Sequence, residues 1–307
     1  MKVTIVGAGN VGAVTAQRVL SYQLASEVVI VDVVDGIAQG KALDIYESAP
    51  LVRSDCRIIG TSGYGETAGS DVVVVTAGIA RRPGMTRDDL LVKNADIVQE
   101  VTRRIVEQSP ECILIIVSSP LEEMTYVALQ ASGFDRSRVI GMAGALDAAR
   151  LKTFISMDLG VAVEDVEVMV LGGHGDSLIP LMRYATVAGL PASQLLTPDR
   201  SKALVERTRN AGTEIIDLLK TGSAFYAPSA AVTAMIEAIA RNKPRIIPCA
   251  VHLDGEYGLD DVVVGVPVKL GRTGMQEIIE IELLEEEHAM LRSVAQTMRT
   301  NIAKLPV

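Results

Sequence analysis

The residues best suited to chemistry lie at Gly172-Gly173-His174-Gly175-Asp176, where the apolar run 168–171 ends in a histidine flanked by glycines. Imidazole titrates near neutral pH, so a histidine at the end of an element can take or give a proton, and small neighbours let a ligand come close. Taken alone, the same residues also fit a histidine capping a turn. Upstream, Asp147 and Arg150 stand three apart in Ala143-Gly144-Ala145-Leu146-Asp147-Ala148-Ala149-Arg150, a spacing that puts both on one helix face. Their neighbours are apolar, and an acid and a base buried together need partners or a function; in isolation the pair also reads as a surface ion pair. A third segment, Arg81-Arg82-Pro83-Gly84-Met85-Thr86-Arg87, is a cationic loop in an acidic chain. It fits either a solvated surface loop or a mobile lid bringing guanidinium groups, whose planar fork suits carboxylates.

These groups need a scaffold, and the first half of the chain supplies a legible one. An apolar strand at 3–6 runs directly into Gly7-Ala8-Gly9-Asn10-Val11-Gly12, then a helical stretch at 14–20, then a second strand at 28–31 that ends at Asp32. Strand, G-x-G-x-x-G, helix, strand and acid in that order form a dinucleotide-binding pattern. Gly7 allows the tight turn, Gly9 lets a pyrophosphate approach the backbone, and Gly12 lets the helix pack on the strand. The phosphates sit at the helix N-terminus, where free N–H groups and the dipole favour anions. Asp32 accepts hydrogen bonds from ribose hydroxyls and repels a 2′-phosphate, so NAD is expected over NADP. Apolar strands at 71–76, 113–117 and 139–141 follow; Asp88 and Asp89 open a helix, and 94–108 is helical with an apolar face. Such continuous runs imply a parallel sheet covered on both faces. Ligands then bind beyond the strands' carboxyl ends, from Gly78, Ser118 and Gly141 onward.

After Gly144 the pattern changes. A long helix is expected there, then a strand at 163–171, the histidine loop, and a continuation at 177–181. Helices follow at 203–219 and 224–240, broken at 220–223, with Pro228 tolerated near a helix start. Segments 245–251, 262–269 and 278–283 read as antiparallel strands; in the last, Ile279, Ile281 and Leu283 alternate with acids, so one face is wet. Glu285-Glu286-Glu287 opens the final helix, with Leu291, Val294, Met298, Ile302 and Leu305 as its stripe. The expected fold is α/β: a doubly wound parallel sheet over residues 1–143 and an α+β substrate domain over 144–307.

Composition narrows the function. The chain has 307 residues, 49% hydrophobic and 22% charged, enough for about two globular domains. A net charge of −9 argues against a nucleic-acid partner. The three cysteines, Cys56, Cys112 and Cys249, are scattered, read as small core residues, and suggest a reducing compartment without a zinc site. His252 and His288 lack chemical context and read as structural or solvated. No signal peptide or membrane span is read, and the expectation is a cytoplasmic protein with no membrane or metal partner.

G-A-G-N-V-G, the strand-end Asp32, the 81–87 arginine loop, Leu-Asp-Ala-Ala-Arg and Gly-Gly-His-Gly-Asp occur in one order along one chain. Together they resemble the lactate/malate dehydrogenase superfamily over essentially the whole length, and within it the malate dehydrogenases of lactate-dehydrogenase type from bacteria and archaea. The resemblance implies a Rossmann domain and NAD-dependent hydride transfer between (S)-malate and oxaloacetate, a step of the tricarboxylic acid cycle. It makes His174 the acid/base and Asp147 the carboxylate that fixes its tautomer. Arg150 would bind the C1 carboxylate, and Arg87 would polarise the reacting carbonyl from a closing loop. It places Ser119 and Ser223 at the substrate, and Gly7, Gly9, Asn10, Val11, Gly12, Asp32, Thr76, Ala77, Gly78, Asn94, Val117 and Ser119 around the cofactor. Arg81 occupies the specificity position, arginine for malate and glutamine for lactate. Paired with pyruvate's methyl group, a desolvated Arg81 would lose its anion, at a cost of about 3–5 kcal/mol. Arg82 keeps a surface reading. The implied assembly is a homotetramer, with a dimer as the alternative.

Two positions depart from the family pattern. Ser118-Ser119-Pro120 stands where Ser-Asn-Pro is usual, so a hydroxyl replaces the amide that reaches the nicotinamide ribose and substrate region. Glu122 stands where aspartate is common and reads as the surface side of a helix start. Three other functions remain to be weighed. A lactate or other 2-hydroxyacid dehydrogenase conflicts with Arg81. A non-catalytic NAD-sensing module has no need of Asp147, Arg150 and His174 together. An NAD-dependent glycosidase would need a metal site.

Overall fold

The computed structural model describes residues 1–80 and 84–305, so Arg81 and Arg82 lie outside the described residues. Val-Val-Val-Val at 72–75 and Ile-Leu-Ile-Ile at 113–116 are buried at every residue, as strands covered on both faces must be. They belong to a first run of elements: β1 (Lys2–Val6), α1 (Asn10–Ser21), β2 (Glu27–Val31), α2 (Ile37–Glu47), α3 (Ala49–Val52), β3 (Arg57–Thr61), β4 (Val72–Val75), α4 (Arg87–Gln108), β5 (Ile113–Ile116), α5 (Leu121–Ser132) and β6 (Val139–Gly141). Their strands pair in parallel in the order β3-β2-β1-β4-β5-β6. The order reverses direction between β1 and β4, which opens a crevice at their carboxyl ends.

The second run comprises α6 (Gly144–Leu159), β7 (Val166–Glu167), β8 (Val170–Gly172), β9 (Leu178–Pro180), β10 (Thr186–Val187), β11 (Leu190–Pro191), α7 (Pro198–Leu219), α8 (Tyr226–Ala240), β12 (Arg245–Asp254), β13 (Asp260–Gly271), β14 (Gly274–Ile278) and α9 (Glu285–Ile302). β12 joins the parallel sheet antiparallel to β6, with Ala250 opposite Gly141, and β13, β8 and β9 extend the same sheet. The main apolar core follows this sheet, and a second core gathers Leu151, Ile155, Val166, Val170 and Leu204 under α6 and α7. The expected doubly wound sheet followed by an α+β part is what the chain forms. All three cysteines are buried.

Three expectations are corrected. The run 163–171 is not one strand. Val166–Glu167 pairs with β10 in a small separate sheet, while Val170–Gly172 pairs with β9 and β13 in the large one. A continuous apolar run gives no sign of changing sheets. The strand expected at 278–283 ends at Ile278. Beyond it the Tyr257 hydroxyl takes over the pairing, donating to Ile279 O at 2.9 Å and accepting from Ile281 N–H at 3.1 Å. Finally, α7 begins earlier than its apolar stripe, whereas α4 carries Asp88 and Asp89 in its first turn as expected. α4 starts at Arg87 because Thr86 and Asp89 form a reciprocal capping box, and α7 starts at Pro198 behind a Thr197 cap.

Candidate active site

At the end of β1 the backbone turns through three glycines, each required differently. Gly7 has φ +110°, and a Cβ there would lie 2.5 Å from Thr76 Oγ1. A Cβ on Gly12 would lie 2.0 Å from the carbonyl oxygen of Gly7, so only glycine lets α1 pack this closely. A Cβ on Gly9 would meet no atom of the described residues within 4 Å. Gly9 is the N-cap of α1 and offers no side-chain cap, so the first-turn amides face open space and are left for an anion. Asp32, one residue past β2, accepts the Ala8 N–H at 2.8 Å and the Val34 N–H at 3.0 Å, and Lys41 Nζ donates to Ala8 O at 2.7 Å. The loop is thereby pinned from both sides, and the Asp32 oxygens retain lone pairs for further donors. An open, glycine-walled helix N-terminus beside an anchored carboxylate fits the pyrophosphate and ribose of a dinucleotide.

From this cradle a cavity of about 610 Å³ runs past the ends of β4 and β5 to α6, α7 and the loop after β8. Gly9, Asn10, Val11, Thr76, Ala77, Gly78, Asn94, Val117, Ser119, Arg150, His174 and Ser223 all line it. His174 Nδ1 lies 2.9 Å from Asp147 Oδ2, with 33% of the histidine side chain accessible. Asp147 is buried in the first turn of α6, and its other oxygen lies 3.5 Å from Arg150 Nη1. Burial lowers the proton affinity of His174. The charge and hydrogen bond of Asp147, helped by Glu122, outweigh this, and the imidazole pKa ends above its ordinary value. Burial lowers the pKa of Arg150, opposed by Asp147, and its Nε is buried with no hydrogen-bond partner among the described residues. A desolvated guanidinium with an unmet N–H is short of an anion. The arrangement can exchange a proton at the second imidazole nitrogen beside a cation ready for a carboxylate.

The remaining expected residues stand behind the cavity or away from it. Gly7, Gly12, Asp32 and Asp147 support the wall without lining it. Asn94 is buried and fully engaged with backbone: its Oδ1 accepts the Ile79 N–H at 2.8 Å, and its Nδ2 donates to Ile79 O and to Ser119 O at 3.2 and 2.6 Å. It therefore clamps the start of the arginine loop to the Ser119 turn. Ser119 is exposed on the cavity wall. Ser223 precedes α8 but does not cap it, since the N-cap is Phe225. Arg87 is the exposed first residue of α4 and is not part of the cavity lining. Gly212 and Ile216 of α7 and Phe225 and Pro228 near the start of α8 also line the cavity, although their sequence context suggested only helix and core. His252 contacts Asp261 at 3.1 Å, away from the cavity.

One expectation is overturned here. Glu122 is not on the surface; it is 8% exposed, and its Oε1 accepts the His174 backbone N–H at 2.8 Å. Consecutive acids in a first helical turn suit the helix dipole, so nothing local distinguishes a buried glutamate from a solvated one. The burial comes from α5 packing its first turn against the loop after β8 and against α9. Burial, then the neighbouring charge of Glu123, pushes the Glu122 carboxyl up to about 7, while His174 and two backbone N–H groups pull the other way.

Known proteins share this architecture and these motifs. Residues 1–141 match the family profile described as lactate/malate dehydrogenase, NAD binding domain, and residues 144–306 match the corresponding alpha/beta C-terminal domain. A curated relative, malate dehydrogenase from Chloroherpeton thalassium, is 56% identical over 99% of this chain and 98% of its own. The structure of malate dehydrogenase from Salinibacter ruber superposes with a TM-score of 0.95 at 51% identity, covering 99% of this chain and 97% of that one. Malate dehydrogenase from Plasmodium falciparum in complex with NADH superposes at 0.92 with 32% identity, covering 99% and 98%. With both halves of the chain matched and relatives above half identity over its length, the chain belongs to the lactate/malate dehydrogenase family of NAD-dependent oxidoreductases.

Proposed function

We propose that the chain is an NAD-dependent malate dehydrogenase that interconverts (S)-malate and oxaloacetate in the tricarboxylic acid cycle of the cytoplasm, as a homotetramer. Residues 1–143 hold the cofactor and residues 144–307 carry the acid/base. The observation that carries this reading is the 2.9 Å His174–Asp147 contact beside Arg150, whose Nε has no partner among the described residues, on one cavity with the glycine cradle. NAD, held by the Gly7–Gly12 cradle and Asp32, would supply the hydride acceptor or donor for C2 of the substrate. His174 takes the hydroxyl proton as malate is oxidised and gives it back in reduction, while Asp147 holds its tautomer and stabilises the imidazolium. Arg150 pairs the C1 carboxylate in a bidentate fork. Arg87, carried at the first position of α4 just after the arginine loop, is brought to the substrate and polarises the carbonyl once water is excluded, and Arg81 pairs the second carboxylate.

NADH oxidation measured side by side with oxaloacetate and pyruvate tests this. Strong preference for oxaloacetate is expected, and Arg81→Gln should shrink that preference by about a hundredfold or more, the scale of one desolvated charge pair. Equal rates in the parent enzyme would overturn the specificity assignment while leaving hydride transfer intact. NADH binding without turnover on either substrate would overturn the enzymatic one.

A further inference from the structure

Behind the imidazole lies a second acidic centre, and the inference drawn from it rests on His174 being the acid/base. Glu122 on the first turn of α5 reaches across to the loop after β8 and holds the His174 backbone N–H at 2.8 Å. Next to it Glu123 is also buried, at 5% exposure, and accepts a hydrogen bond from Asn301 Nδ2 of α9 at 2.6 Å. Both glutamates line a small cavity of about 110 Å³ whose other polar walls are Ser177, Ser293 and Thr297. That space is polar and has room for about three waters at liquid volume, so Glu122 can exchange a proton without passing through the substrate cavity. Two carboxylates placed side by side away from bulk solvent repel each other and are costly when both ionised. Helix starts do not need such a pair, and α5 would cap equally well with the acids in water.

We propose that Glu122 is a positioning residue for proton transfer at His174: it fixes the histidine's backbone from α5 and supplies a second carboxylate, beyond Asp147, that stabilises the imidazolium. Among the described residues, the charged groups facing His174 are Asp147 and Arg150 from α6 and Glu122 from α5; those facing Glu122 are Glu123 on its own helix and His174. When His174 is neutral, the Glu123 charge and burial favour a protonated Glu122. When the ring takes the proton, the imidazolium draws Glu122 into its ionised form, and the displaced proton leaves by the small cavity. The two groups therefore titrate as a coupled pair.

The sign is definite. Removing the Glu122 charge lowers the proton affinity of His174, and reduction needs the imidazolium, so its rate falls as pH rises through the histidine pKa. Glu122→Gln keeps an oxygen for the His174 N–H and removes the charge. It should shift both the His174 NMR titration and the basic limb of kcat/KM for oxaloacetate to lower pH, by about 0.5–1 unit, modest for a partly protonated neighbour. Glu122→Asp, which keeps the charge, should move both back toward the parent. With only three histidines in the chain, the His174 resonance is identified by its loss in His174→Asn. A Glu122→Gln enzyme that binds NADH normally but titrates within about 0.2 unit of the parent would overturn the proposal. If that variant does not fold, the parent protein decides: two inflections in the His174 curve support the coupling, and a single one overturns it. The acid/base reading fails separately, if His174→Asn retains turnover.

Discussion

On the dinucleotide side of the cavity, the wall is made of backbone. Gly7, Gly9 and Gly12 come from one short stretch, and their value lies in the side chains they lack: two sites where a Cβ would strike the protein and one where it would enter open space. On the acid/base side, the wall is made of ionisable side chains drawn from α5, α6 and the loop after β8, and the distances between them carry the design. The first wall is steric and local: at Gly7 and Gly12 the protein itself leaves no room for an added atom, and at Gly9 the room is open. The second is electrostatic and assembled across the fold; it tolerates isosteric change but not a change of charge. A change confined to one wall should therefore move either cofactor affinity or turnover, and not both.

Asp147→Asn should give the largest effect. The replacement is the same size in a site that is 1% exposed, so packing survives. The amide cannot stabilise an imidazolium and can present an N–H to Nδ1, which favours the wrong tautomer. Turnover should fall by about 10²–10⁴-fold, with NADH affinity, read by fluorescence titration, within about twofold of the parent. A loss of NADH affinity as large as the loss of kcat would break the division between the walls.

The glycine wall is tested by a pair. Gly12→Ala places a methyl group 2.0 Å from Gly7 O, so it should cost about 1–3 kcal/mol of stability through overpacking and weaken NADH binding with it. Gly9→Ala places its methyl in open space, so Tm should stay within about 1 °C of the parent. NADH affinity should still drop about tenfold, since one methyl blocks the pyrophosphate's approach to the backbone. Calorimetry and NADH titration on both variants separate fold from function. Equal Tm losses would mean the cradle is not the open space that the geometry implies.

The same contrast explains what the sequence discloses. The cradle is legible because its residues are consecutive: strand, glycines, helix, strand and Asp32 are one local pattern, and the continuous runs at 72–75 and 113–116 announce the parallel sheet around them. Asp147 and Arg150 are legible as a pair because helical spacing joins them. Glu122 is not, since its role depends on α5 meeting a loop 52 residues away, and an acid in a first helical turn looks the same whether it faces water or a histidine. Asn94 is a milder case. Its place at the site is expected from family likeness, but its hydrogen bonds go to Ile79 and Ser119 backbone, which no one-dimensional pattern encodes. The run 163–171 misleads because hydrophobicity reports burial and not which sheet does the burying.

The smallest expected effect lies where the two walls meet. Ser119 is exposed on the cavity wall, and its carbonyl is already fixed by Asn94 Nδ2 at 2.6 Å. Exchanging its side chain therefore leaves the backbone in place. Ser119→Asn restores the amide of the usual Ser-Asn-Pro sequence, adding reach and a second donor toward the nicotinamide ribose and substrate. One added hydrogen bond is worth about 0.5–1.5 kcal/mol net, so kcat/KM for oxaloacetate should rise about two- to tenfold, with Tm unchanged. With Ser119 on the cavity wall that the proposed function gives to both ligands, the gain should divide between the NADH and oxaloacetate KM values, unlike Asp147→Asn or Gly9→Ala, each of which moves one parameter. A Ser119→Asn enzyme with the parent's kcat and both KM values would show that the hydroxyl, directly or through a bridging water, already does what the amide does elsewhere in the family.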